Sequence, residues 1–226
     1  MAPTLELENS LFDQGFDLVA GIDEVGRGCL AGPVSIGICL VDAKVNQIPK
    51  NLNDSKLLTA QKRDDLIPKI EQWAKDYAVG HSSNEEIDHF GLAIALQLAA
   101  TRAIMKLSKK PQAIILDGKH NWLKTKNFDL FSTPPKKVAE ELDFLSQVTG
   151  ASHTIAQTKA DQTCASVSAA SVLAKVERDQ IITNLGTQFE QYGWATNKGY
   201  ASPDHLAAIK NYGPTKYHRI SWKPFI

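Results

Sequence analysis

The chain has 226 residues, 43% of them hydrophobic and 22% charged, and its 25 Lys and Arg balance 25 Asp and Glu to a net charge of zero. Such a composition fits one large globular domain, with or without an appendage, and bulk charge supplies no argument for nucleic-acid binding. No apolar run is long enough to span a membrane, the N-terminal stretch shows no secretory pattern, and three scattered cysteines lack metal-ligand spacing, so a cytoplasmic protein with buried free thiols is expected.

Residues 17–25 and 33–41 read as two strands, joined as a hairpin by the glycine-rich part of "GIDEVGRGCLAGPV" (21–34). Thr59 to Lys75 is amphipathic, with Leu66, Ile70 and Trp73 at helical spacing behind a possible Thr59 cap. Tyr77 to His81 suits a third strand. Leu92 to Leu107 is a helix whose buried side would carry Ile94, Leu98, Ala99, Ala103 and Leu107. "PQAIILDG" (111–118) is a short apolar strand that ends in Asp117. Residues 119–152 are Lys-rich and contain Pro134-Pro135, so an irregular excursion with one short helix is expected. "SHTIAQTKAD" (152–161) alternates as a strand ending at Asp161. "CASVSAASVLAKVERDQII" (164–182) is a helix whose small residues let it lie close to a sheet, and another short helix begins near Pro203. Strands alternating with helices imply an α/β layer architecture.

Three strands thus end in carboxylates: Asp23-Glu24, Asp117 and Asp161. Ligand sites in open α/β sheets gather beyond strand ends. Four acids brought together would repel, each close pair by about 4 kcal/mol at 4 Å in an effective dielectric of 20. Hard divalent cations with all-oxygen ligands, Mg²⁺ or Mn²⁺, would make such a cluster tolerable. A pair of them can activate water and stabilise a leaving oxygen in phosphodiester hydrolysis. Taken singly, Asp161 also suits a helix cap and Asp117 a turn. Adjacent strand residues point to opposite faces, so the strand is expected to stop or bulge at Asp23-Glu24, with Gly26 and Gly28 releasing the backbone.

The glycine spacing matches no dinucleotide fingerprint. An open loop beside a metal pair would instead let the backbone approach a sugar, where the 2′-OH separates RNA from DNA. Arg27 is either a phosphate contact or a surface ion pair. In "DSKLLT", Ser55 and Lys56 precede a helix, where N–H groups favour an anion or a side-chain cap. Tyr200 in "NKGYASPDHL" lies among basic residues, a setting for stacking on a base or sugar as well as for core packing. Lys216, His218 and Arg219 in "GPTKYHRISW" are candidate backbone contacts. The terminal "SWKPFI" is expected to pack against the domain.

These motifs, with "EIDHFGLAIALQLAATRAI", "AIILDG" and "KADQTCASVSAASVLAKVERD", occur in an order that resembles bacterial type 2 ribonuclease H, ribonuclease HII, over most of the chain. The resemblance implies a ribonuclease H-like fold: a mixed central sheet flanked by helices, with a catalytic domain over 1–190 and a small helical substrate-binding extension over 191–226. It implies a monomeric, metal-dependent hydrolase that cuts RNA in RNA/DNA hybrids and nicks 5′ of ribonucleotides embedded in duplex DNA, leaving 5′-phosphate and 3′-hydroxyl ends. The family's metal ligands fall on Asp23, Glu24, Asp117 and Asp161. Its ribose-sensing Gly-Arg-Gly falls on Gly26, Arg27 and Gly28, its phosphate-contacting lysine after Asp-Ser on Lys56, and its junction-stacking tyrosine on Tyr200. Leu57 stands where many members carry a second lysine, and 119–152 is longer than in compact members. Two alternatives share the fold: a non-catalytic hybrid-binding module and a metal-dependent nuclease acting on DNA.

Overall fold

A computed structural model describes residues 2–124 and 134–225. In chain order its elements are α1 (Glu6–Asp13), β1 (Leu18–Val25), β2 (Val34–Asp42), α2 (Ala60–Trp73), β3 (Asp76–Ser82), α3 (Asn84–Lys106), β4 (Ala113–Asp117), α4 (Lys136–Ala151), β5 (His153–Gln157), α5 (Ala160–Thr163), α6 (Ala165–Gly186), α7 (Trp194–Asn197) and α8 (Pro203–Tyr212). The strands form one mixed sheet in the order β3-β2-β1-β4-β5. β1 and β3 pair antiparallel with β2, while β4 pairs parallel with both β1 and β5. This is the expected mixed sheet flanked by helices.

Side chains alternate across β1 and β2, and each face has its own cover. Ala20, Ile22, Ile36 and Ile38 pack with Ala95, Ala99 and Ala103 of α3. Val19, Cys39 and Val41 face α6 and α2, where Val167, Ala170, Leu66 and Ile70 close the core. The small residues of α6 let it sit almost on the sheet. At Gly37 even a Cβ would collide with the backbone of Ala170.

α2 is capped by Thr59, whose hydroxyl accepts from the Lys62 N–H. α3 starts eight residues before the expected Leu92. A capping box of Ser83 and Glu86 opens it, and a kink at Gly91 (φ 79°) interrupts its hydrophobic period. α1 was not anticipated; its short apolar pattern is held by burial of Leu11 and by Glu8, which accepts from the N–H and hydroxyl of Ser166. Where one short helix was expected in 119–152, α4 runs for 16 residues. Pro135 sits just before its first turn and Val138, Leu145 and Val148 give it a buried side. Part of that segment, 125–133, lies outside the described residues.

A separate cluster of Leu30, Ala31, Ile182, Tyr192, Trp194, Ala208 and Ile209 joins the C-terminal helices to the loop after β1. Phe225 packs on this cluster and Trp222 on the α3 side of the sheet, so the terminal residues cover the domain as expected. The three cysteines are buried and free. No described helix is long and apolar enough to cross a membrane.

Candidate active site

β1 and β4 stay in parallel register as far as Ile22 and Leu116. Asp23 and Asp117 follow at once, where that ladder ends. On its other edge β1 keeps unbroken register with β2 through Val25 and Ser35. The strand therefore neither stops nor bulges at Asp23-Glu24, contrary to the expectation from alternation. The two acids use opposite faces beside the gap left by β4. Asp23, 2% exposed, turns toward α6, where the Ser171 hydroxyl favours its charged form. Glu24 accepts from Arg27 Nη1 at 2.8 Å.

Asp161 does not end a strand either. β5 stops at Gln157, Lys159 takes a left-handed φ of 60°, and Asp161 sits in the first turn of α5. No local glycine announces that turn, so the alternating pattern overran it. Its Oδ2 accepts from Lys56 Nζ at 3.2 Å. Asp117 Oδ1 accepts from the Ala160 N–H at 2.8 Å, which fastens the end of β4 to α5.

Burial pushes the Asp23 carboxyl up to about 8, with Glu24 and Asp117 adding to the effect and Ser171 opposing it. Burial also raises Glu24 and Asp161; Arg27 opposes the first and Lys56 the second. Asp23 Oδ2 and Glu24 Oε2 are buried without any hydrogen-bond donor. Two orphaned carboxylate oxygens in a cluster of oxygen ligands fit a hard divalent cation. Among the described residues, no three acidic, His or Cys side chains close around one point as metal ligands. Arg27 draws Glu24 aside, Lys56 draws Asp161, and the Ala160 N–H holds Asp117. Ligation would draw Glu24 from Arg27 and Asp161 from Lys56, while the bond from the Ala160 N–H to Oδ1 leaves Asp117 Oδ2 for a cation.

Gly26 has φ 90°, and a Cβ there would strike the Arg178 side chain and lie 2.9 Å from the Pro33 carbonyl. Only glycine fits. Gly28 faces open space. Arg27 is exposed and ion-paired with Glu24, the surface ion pair of its two readings. Tyr200 is 41% exposed; its ring lies 5.7 Å from Lys175 Nζ and 5.8 Å from the Arg178 guanidinium.

Other expected contacts face inward. Ser55 is 1% exposed, and its hydroxyl pairs with Ser171 at 2.8 Å, behind Asp23. Asp54 already caps this turn by accepting from the Lys56 N–H, so Ser55 offers its side chain to the protein rather than to an anion. Lys56 remains at the surface. His218 and Arg219 are buried at 1% and 0%, and of that trio only Lys216 is exposed. Sequence reasoning also missed Ser171. Its signal was a run of serines inside an alanine-rich helix that lies on the sheet.

Residues 20–225 match the family model described as ribonuclease HII. Ribonuclease HII of Streptomyces avermitilis is 42% identical over 221 residues, covering 97% of this chain and 83% of that protein. The ribonuclease HII of Paracoccus denitrificans is 39% identical over 222 residues, covering 98% and 92%. Among solved structures, ribonuclease H2 from Pyrococcus horikoshii OT3 is similar with a TM-score of 0.68 and 30% identity, covering 92% of this chain and 95% of that one.

Proposed function

The chain belongs to the ribonuclease HII family of metal-dependent endoribonucleases, with their ribonuclease H-like fold, and from that premise we propose that it cuts RNA in RNA/DNA hybrids and nicks duplex DNA 5′ of an embedded ribonucleotide at Asp23, Glu24, Asp117 and Asp161. The observation that carries the site assignment is the pair of buried carboxylate oxygens without donors at the end of β1. When bound there, a pair of Mg²⁺ or Mn²⁺ ions supplies the charge that activates water and stabilises the departing 3′-oxygen, leaving 5′-phosphate and 3′-hydroxyl ends.

The chain's own groups prepare that chemistry. Ser171, paired with Ser55, lies beside Asp23 and favours its charged form. Asp117 and α5 are fastened together, so two of the carboxylates move as one piece. Lys56 Nζ, released from Asp161, is placed to meet a phosphate. Arg27 exchanges Glu24 for a phosphate in the same way. Gly26 and Gly28 let the backbone come close to the ribose, and the exposed face of Tyr200 stacks at the junction. Residues 191–226 act as a substrate-binding extension packed on a catalytic domain spanning 1–190, in a monomeric cytoplasmic enzyme.

Three duplexes test this: one with a single embedded ribonucleotide, one long RNA/DNA hybrid and one all-DNA control, each with Mg²⁺, Mn²⁺ or EDTA. The expected result is a 5′ nick at the single ribonucleotide, cutting of the hybrid, an intact control and no reaction in EDTA. Equal cutting of all-DNA would make the chain a DNA nuclease. Tight hybrid binding without cutting in either metal would make it a binding module.

A further inference from the structure

Two arginines lie wholly beneath the loop after β1, each with 0% exposure. Arg219 donates from Nη2 to the Gly26 carbonyl at 2.7 Å and to Gly32 at 3.0 Å. Its Nη1 donates to the Arg27 carbonyl at 3.0 Å, and its Nε to Gly32 at 3.2 Å. Arg178 enters from α6 on the other side. It donates to the carbonyls of Pro33 (3.1 Å), Ala31 (3.2 Å) and Lys198 (2.9 Å). All seven bonds go to main-chain oxygens. Arg219 makes no ion pair among the described residues, and the nearest carboxylate to Arg178 is Asp179 at 3.9 Å. Burying the Arg219 guanidinium without an ion pair is costly, and main-chain carbonyls offset that cost.

The bonds have a directional consequence. They draw five carbonyls of 26–33 inward, while the N–H groups of Arg27 and Gly28 have no acceptor among the described residues. Arg178 also grips Lys198, two residues before Tyr200, and its guanidinium lies beside that ring. Loop and tyrosine are thus held from one interior point, though about 170 residues separate them in sequence.

We propose that Arg219 and Arg178 are positioning residues, which fix the free N–H groups of Arg27 and Gly28 and the ring of Tyr200 in one rigid frame for the ribose at the cleavage junction. The inference rests on the reading of this loop and Tyr200 as the ribose-recognising surface. Neither arginine touches substrate. A lysine cannot substitute for either, because one ammonium cannot span three divergent carbonyls as the planar fork does.

The test is Arg219→Lys on a duplex with one embedded ribonucleotide. Displacing the frame by about an ångström should lower kcat by about 10²-fold, while duplex affinity in EDTA, set by surface charges, stays within about threefold. A destabilised control comes from the far side of the sheet: Leu145→Ala opens a cavity at α4 without reaching the loop. It should keep near wild-type kcat at the assay temperature. Undiminished kcat in Arg219→Lys, or an equal loss in Leu145→Ala, overturns the proposal. Should Arg219→Lys not fold, Arg178→Lys is judged by the same two criteria. Failure of the underlying reading looks different: the wild-type enzyme would then show no preference for the ribonucleotide duplex over all-DNA.

Discussion

Replacing Asp23 by Asn should abolish cleavage and, in the absence of metal, make the protein more stable. The carboxyl is almost fully buried, has one oxygen without a donor, and faces Glu24 and Asp117. Its folded-state pKa of about 8 exceeds the ordinary value of 3.8. The native state therefore holds a proton that the unfolded chain has lost, and stability present below about pH 4 is lost as pH rises toward 8. A displacement of this size amounts to about 5 kcal/mol at the top of the window. Asn removes the charge that burial, Glu24 and Asp117 oppose, but it gives up attraction to Lys56. A net gain of about 2 kcal/mol is expected at pH 8, or about 4–8 °C in Tm for a chain of this length. Thermal unfolding in EDTA at pH 5 and pH 8 reads it directly. The gap between variant and wild type should widen with pH, and Mn²⁺ should stabilise the wild type alone. A variant less stable than wild type at pH 8 in EDTA, or a gap indifferent to pH, would refute the electrostatic account of the site.

Gly26→Ala should cost about 1–3 kcal/mol in denaturant unfolding and suppress cleavage, since φ 90° and the Arg178 side chain both oppose a Cβ. His218 carries the opposite pH signature to Asp23: burial and His205 pull its pKa down to about 4 from 6.5. Its Nδ1 accepts from the Thr215 N–H, so the native ring resists protonation, and stability present above about pH 6.5 should fall away toward pH 4. Chemical denaturation at pH 7, 5 and 4 measures this, and the acid loss should shrink in His218→Gln. Tyr200→Ala should slow nicking at a single ribonucleotide by about tenfold or more, the worth of one stacked base, with a smaller effect on a long hybrid. Equal losses on both substrates would remove Tyr200 from the junction.

The readable parts of this protein were those where a residue conflicts with its neighbours. Asp23-Glu24 is an anomaly because two like charges close an apolar run, and Asp117 because a buried strand ends in Asp-Gly. Those conflicts needed no knowledge of the fold. Asp161 was found for a partly wrong reason. The strand at 153–157 is real, but the left-handed residue that follows it is a lysine, so nothing in the local chemistry marks the strand's end. The capping box of Ser83 and Glu86 went unread, because Gly91 broke the periodicity that would have tied it to the rest of α3.

Arg219 and His218 were misread as surface groups for a deeper reason. A buried charge usually betrays itself through a complementary charge elsewhere in the chain. Here the complement is a set of main-chain carbonyls, which every residue possesses, in a loop almost two hundred positions earlier. The same holds for Ser55, whose partner is another serine hydroxyl. Side-chain chemistry identifies the groups that meet a metal or a sugar, because that chemistry restricts residue type. Groups that meet the backbone leave no such restriction on their partner. The inner supports of a recognition loop are therefore visible only once the fold has brought the carbonyls to them.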